Sequence, residues 1–142
     1  MCAMQNRFVI YTDGGARGNP GPAAIGFVIF QISHEGALVE MKRFGETIGV
    51  TTNNQAEYRA VIRAFEEVLL HHPSNVEFRL DSELVAKQLR GEYRVKDTFL
   101  KPLFARVKYL EHTIPQVLYT VVRRELNQQA DGEVNRALDQ AQ

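Results

Sequence analysis

The sequence predicts an α/β domain whose core is a five-stranded mixed sheet, three strands antiparallel and two added in parallel, flanked by helices. Three observations lead there. The chain opens with three runs of β-formers joined by short turn signals, which implies an antiparallel meander. Apolar periodicity then changes to spacings of three and four after Asn54 and returns to two at "VEFRL". Each of the last two strands follows a helix, so both join the sheet through right-handed crossovers.

In chain order, Arg7 to Thr12, Ile25 to Ile32 and Val39 to Ile48 read as the first three strands, with turns at "RGNPGP" and "SHEG" between them. From Asn54 to about His71, Glu57, Val61, Ala64, Phe65 and Val68 fall on one helical stripe, and Pro73 ends it. In the fourth strand Val76, Phe78 and Leu80 share a face, and the strand stops at Asp81. A short helix from Ser82 to Leu89 and a loop around Gly91 to Thr98 follow. Phe99 to Glu111 reads as another helix with Pro102 in its first turn. "QVLYTVV" is the fifth strand, and a helix from about Asn127 carries an apolar stripe of Ala130, Val134, Ala137, Leu138 and Ala141.

A length of 142 residues suits a single domain, expected over 7–142 behind a flexible tail of residues 1–6. The lone cysteine, Cys2, lies in that tail and cannot form an internal bridge, which fits a reducing compartment. No apolar run approaches the length of a membrane span and no signal-peptide pattern opens the chain, so the expectation is a cytoplasmic monomer with no membrane partner. Seventeen Lys/Arg balance seventeen Asp/Glu, so net charge gives no argument for a nucleic-acid partner. The distribution is less even: Lys87 to Lys108 holds seven basic and two acidic residues, a segment able to face phosphates or simply to be a solvated surface.

Four carboxylates stand out, each with an ordinary alternative. Asp13 closes the first strand, where an aspartate also serves a turn by bonding the backbone two residues on. Glu57 shares the stripe of Val61 and Phe65, so it points inward, where an unpaired charge is expensive. Asn54 as N-cap with Glu57 as its partner in a capping box would also account for it. Asp81 precedes a helix start, where an N-cap role is the simplest reading in isolation. Asp131 lies at the margin of the last helix's apolar stripe. Two strand ends, an inward helix start and a helix margin can nevertheless converge at one end of the sheet, the end where ligands of such sheets collect. Clustered carboxylates repel and take up protons unless hard cations fill the space. Oxygen-only ligands suit Mg2+, with Mn2+ as a substitute, and two such ions about 4 Å apart support phosphodiester hydrolysis.

"YTDGGARGNPGPAAIG", "TTNNQAEYRAVIRAFE", "DSELV" and "NQQADGEVNRA", in this order, make the chain resemble the type 1 ribonucleases H from Arg7 to about Ala141. The resemblance implies a ribonuclease H-like fold and a metal-dependent endonuclease that cuts the RNA strand of an RNA–DNA hybrid, leaving 5′-phosphate and 3′-hydroxyl ends. Carried over position by position, Asp13, Glu57, Asp81 and Asp131 match the metal-binding carboxylates, with Asp13 bridging both ions. Thr52 and Asn53 resemble the pocket for a DNA phosphate, although both also suit caps at a helix start. Asn19 and Asn54 match positions touching the hybrid backbone and minor groove, and Asn127, which matches the asparagine four before the last carboxylate, is expected with them among the nucleic-acid contacts. Such a duplex is read through groove shape, phosphates and 2′-hydroxyls, so little sequence preference is expected.

The chain departs from the family pattern in three places. It has no Trp, and the region of the basic protrusion is short, leaving Arg90, Arg94, Lys96 and Lys101 as a reduced platform whose hybrid binding should be weaker and salt-sensitive. No His occurs between Gln116 and Asp131, where many members carry a mobile one; Arg124 and Glu125 are nearby substitutes. Glu83 stands where a Gln touching RNA is common, and its negative charge there is expected either to weaken hybrid binding or to alter discrimination between hybrid and double-stranded RNA, which leaves the substrate range open. A non-catalytic hybrid-binding module of the same fold is the alternative, weakened by the presence of all four carboxylates.

Overall fold

The computed structural model describes residues 3–142, so Cys2 and the expectation attached to it lie outside the described residues. Strands β1 (Met4–Ala16), β2 (Gly21–Ser33) and β3 (Leu38–Thr51) form the meander. They lead into α1 (Asn53–Val68), β4 (Asn75–Leu80), α2 (Glu83–Leu89), α3 (Lys101–Glu111), β5 (Gln116–Val121) and α4 (Gln128–Gln140). The sheet order is β3-β2-β1-β4-β5, with β1–β2 and β2–β3 antiparallel and β1–β4 and β4–β5 parallel, as the sequence predicts.

Alternation along β2 assigns its two faces. Phe27 and Ile29 join Phe8, Ile10, Tyr58, Val61, Phe65, Phe78 and Val107 in the main core, under α1 and α3. Ala24, on the opposite face, packs with Val134, Ala137 and Leu138 of α4. That second seat is built for a close helix: a Cβ at Gly26 would lie 2.5 Å from the Ala130 carbonyl oxygen, and one at Gly45 2.5 Å from that of Glu133. Gly14 plays the same part beneath α1, where a Cβ would overlap the Ala56 carbonyl. The sheet is therefore clamped between α1 and α4, and both helices begin at the end of the sheet where β1 passes Asp13.

Several boundaries differ from expectation. β1 starts at Met4, so Met4–Asn6 are strand rather than flexible tail; Met4 pairs with Ser33, and the Gln5 amide donates to the Ser33 carbonyl at 3.0 Å. β1 also runs past Asp13 to Ala16 because β2 continues to pair with it, Asp13 opposite Gly26 and Ala16 opposite Ala23. On its other edge the ladder with β4 stops at Tyr11, leaving Asp13 beyond the parallel half of the sheet. α3 starts at Lys101 rather than Phe99, since the Asp97 carboxylate accepts from the Phe99 and Leu100 N–H groups and forms a turn there. Ala141 caps α4 and is exposed, so it drops out of the buried stripe.

Candidate active site

At the N-terminus of α1 four capping-competent residues follow one another, and Thr52 takes the cap: its Oγ1 accepts from the Gln55 N–H at 3.2 Å. The expected Asn54 cap and its capping box with Glu57 are therefore absent, and Glu57 sits in the second turn with its side chain aimed inward. Asp81 likewise leaves the capping of α2 to its neighbour, Ser82 Oγ accepting from Val85 N–H at 3.2 Å. Both carboxylates are thereby free of helix-end duty.

Asp13, Glu57 and Asp81 each offer an oxygen, and these oxygens lie within 4.8 Å of one another. Asp13 and Glu57 are both only 7% exposed, and Glu57 Oε2 is buried without a hydrogen-bond partner. Asp131 lies in the first turn of α4 and lines the same cavity, of about 470 Å³, as the other three. The four carboxylates singled out in the sequence thus meet at one cavity, carried there by four different parts of the fold.

The electrostatics of the cluster are those of crowded acids. Burial first, and then the Asp81 charge, push the Asp13 carboxyl up to about 7. Burial, reinforced by Asp13, raises Glu57 well above the ordinary carboxylate range. An all-oxygen donor set, a buried carboxylate oxygen with no partner and two acids reluctant to ionise together fit a hard divalent cation. A bound cation would supply the missing partner and restore the ionised forms.

Around the carboxylates, an amide network fixes the backbone. Asn127 is 1% exposed, and its Nδ2 donates to the Thr12 carbonyl at 2.9 Å and to Asp81 Oδ2 at 3.1 Å. This corrects its expected place among nucleic-acid contacts: it is a buried brace between β1 and Asp81. Asn53 Oδ1 accepts from the Ala16 N–H at 2.8 Å, and the Asn53 N–H donates to Asn19 Oδ1 at 3.0 Å. Asn53 and Asn54 line the cavity, whereas Asn19 and Thr52 are not part of its lining. Arg17, Arg124 and Asn135 also line it.

Sequence reading missed Arg17 and Asn135. Asn135 carried a signal, standing four residues after Asp131 on one helix, and its Nδ2 donates to Asp131 Oδ2 at 3.3 Å. Arg17 carried none; an ion pair with Asp139 at 2.7 Å places it. In the basic segment Lys87, Arg90, Arg106 and Lys108 pair with Glu83, Glu92, Glu66 and Glu111. Arg90 also donates to the Tyr119 carbonyl at 3.1 Å, so the platform expected of four residues reduces to Arg94, Lys96 and Lys101.

Comparison with known proteins follows the same line. The sequence profile of the RNase H family matches residues 5–139. Ribonuclease HI of Halobacterium salinarum is 43% identical over 131 residues, 92% of this chain and 64% of that protein. A bifunctional protein of Mycobacterium tuberculosis is 36% identical over 135 residues, 95% of this chain and 36% of that protein, so the chain spans only part of either relative. RNase H1 from Halobacterium salinarum superposes with a TM-score of 0.85 at 42% identity, covering 94% of this chain and 98% of that one. An RNase H1 solved in complex with an RNA/DNA hybrid gives 0.86 at 42% identity, over 94% and 98% of the two chains. With the profile spanning almost its whole length, the chain belongs to the RNase H family.

Proposed function

We propose that this protein hydrolyses the RNA strand of RNA–DNA hybrids endonucleolytically, leaving 5′-phosphate and 3′-hydroxyl ends, with little regard to sequence. The observation that carries the reading is the convergence of Asp13, Glu57, Asp81 and Asp131 on one open cavity. A similar RNase H1 seen with an RNA/DNA hybrid adds weight to the choice of substrate. These four carboxylates would hold two Mg2+ ions, or Mn2+ in their place, and the bound ions supply Lewis-acid activation of water and charge for the leaving oxygen.

The chain's own residues prepare that chemistry. Burial of Asp13 and Glu57 holds both carboxyls toward the protonated form, so cation binding is coupled to loss of the Asp13 proton near pH 7. Asn127 aims Asp81 by holding one of its oxygens, and Asn135 does the same for Asp131. Because Asn53 spends its carbonyl oxygen on Ala16, its Nδ2 group is left to donate to a DNA phosphate beside the first turn of α1, an end whose dipole also favours an anion. Asn54 is placed to reach the groove, while Thr52 and Asn19 act by fixing the start of α1. Arg124, on the cavity wall, is the cation available to a departing phosphate in place of the family's histidine.

No helix is long and apolar enough to cross a membrane. The reading sets the protein in the cytoplasm as a monomer acting on hybrids, and leaves its range open toward double-stranded RNA. Strand-labelled hybrid, double-stranded RNA and double-stranded DNA, each with Mg2+, Mn2+ or chelator, test it. Metal-dependent internal cuts in the hybrid's RNA strand are expected, and cuts in double-stranded RNA extend the range. Hybrid that is bound but never cut would favour the binding module instead.

A further inference from the structure

Three relations must hold for Asp13, Glu57 and Asp81 to keep their spacing. The first, α1 against β1, is set where Gly14 admits the Ala56 backbone. The second, Asp81 against β1, is set by Asn127, which bonds both the Thr12 carbonyl and Asp81. The third, α1 against the β4–α2 segment, is held by a device buried away from the cavity. Tyr58 follows Glu57 on α1, and its hydroxyl donates to Gln88 Oε1 at 2.8 Å. Gln88 lies in the last turn of α2, the helix capped by the residue after Asp81.

Both partners are buried, Tyr58 at 0% and Gln88 at 5% exposure, amid Val61, Val85, Ala86 and Leu89. A phenol and an amide placed in an apolar core add little net stability over apolar groups of the same shape, and each is costly if left alone. What the pair adds is direction. α2 is only seven residues long, and the apolar side chains that seat it are compatible with small slides along α1. Asp81, just ahead of α2, must stay near Glu57 although the two carboxylates repel. A hydrogen bond of fixed length across the two helices resists that displacement.

We propose that Tyr58 and Gln88 are positioning residues: their buried hydrogen bond ties α1 to α2 and so fixes the separation of Glu57 from Asp81 that a divalent cation requires. The proposal rests on the metal-dependent reading above. It concerns neither substrate contact nor proton transfer, and its signature is a change in cation affinity and kcat with hybrid KM preserved.

Tyr58→Phe, Gln88→Met and the double variant test it, with Mn2+ affinity read by electron paramagnetic resonance or calorimetry beside hybrid cleavage, all well below each variant's Tm. Loss of a partner that orients metal ligands is expected to weaken Mn2+ binding by about tenfold. kcat at fixed Mg2+ should fall with hybrid KM within about twofold of wild type, as for an interaction that does not bind substrate. The double variant should show the same loss as the singles, because one bond is removed in each case, and it buries no orphaned polar group that would keep it from folding. Variants with lower Tm but wild-type Mn2+ affinity and kcat would reduce the pair to a structural contact and overturn the proposal. Wild-type protein that neither binds Mn2+ nor cleaves hybrid would instead sink the metal-dependent reading, and the proposal with it.

Discussion

Asp13 is where the demands of folding and of the site conflict. Its carboxyl is raised to about 7 in the folded protein, against an ordinary value of 3.8 in the unfolded chain. Between these values the unfolded chain has released a proton that the folded one keeps, so stability is full below about pH 4 and is lost as pH rises toward 7. Without divalent cation the Tm should therefore fall between pH 5 and 8, by an amount corresponding to a few kcal/mol. Asp13→Asn should flatten that slope and raise the Tm at pH 8, and Mg2+ should recover stability in the wild type alone. Thermal melts with chelator and with Mg2+ at both pH values check this; a wild-type Tm independent of pH would contradict the burial of an acid here. Residue by residue, Asp13, Glu57 and Asp81 were legible because inward or strand-end acids violate the apolar pattern around them, whereas Asp131, at a helix margin, stood out only through the family resemblance. The caps were not, since "TTNN" offers four competent residues and only the helix geometry selects Thr52. Nor was the burial of Asn127: it answers a local vacancy, the Thr12 carbonyl left beyond the end of the β1–β4 ladder at Tyr11.

Elements carry the carboxylates to one another, and glycine decides how closely they approach. α4 lies on β2 and β3 across Gly26 and Gly45, with Asp131 one residue after Ala130, whose carbonyl faces Gly26. Gly26→Ala places a Cβ 2.5 Å from that oxygen, so α4 must lift. The expected result is a loss of about 1–3 kcal/mol, as for overpacking elsewhere. Cleavage should also fall at temperatures where the variant remains folded, because Asp131 moves with the helix. Denaturant melts beside cleavage assays test the pair of effects, and unaltered activity would mean that the seat of α4 does not locate Asp131. The sequence showed strand periodicity through Gly26 plainly, but a helix pressed on the outer face leaves only the missing side chain as its trace. Element order and type were legible from periodicity. The ends of β1 were not, because they are set by how far β2 continues to pair and not by local propensity.

At the scale of the whole molecule, the neutral net charge conceals a polarity. Acids gather in the cavity, while Arg94, Lys96 and Lys101, in the connection from α2 and the start of α3, have no ion-pair partner among the described residues. Under the proposed function, these three are the cations of that segment left for the phosphates of a bound duplex. Replacing all three by Ala should lower hybrid affinity and reduce the salt slope of log K by about two to three, close to one for each phosphate that is no longer neutralised. Binding titrations across a range of salt concentration decide it, and an unchanged slope would place the duplex elsewhere. The balance of paired and unpaired cations could not be read from the sequence, where all seven basic residues of that segment look alike; four are neutralised by acids that include Glu66 and Glu111, both outside the segment. The most direct test of the central claim compares wild type with Asp13→Asn on one strand-labelled RNA–DNA hybrid in Mg2+, binding and cleavage being read from the same samples. Internal cuts in the RNA strand by the wild type, and hybrid bound but uncut by the variant, are expected. Strong residual cleavage by Asp13→Asn would remove the carboxylate cluster from the chemistry.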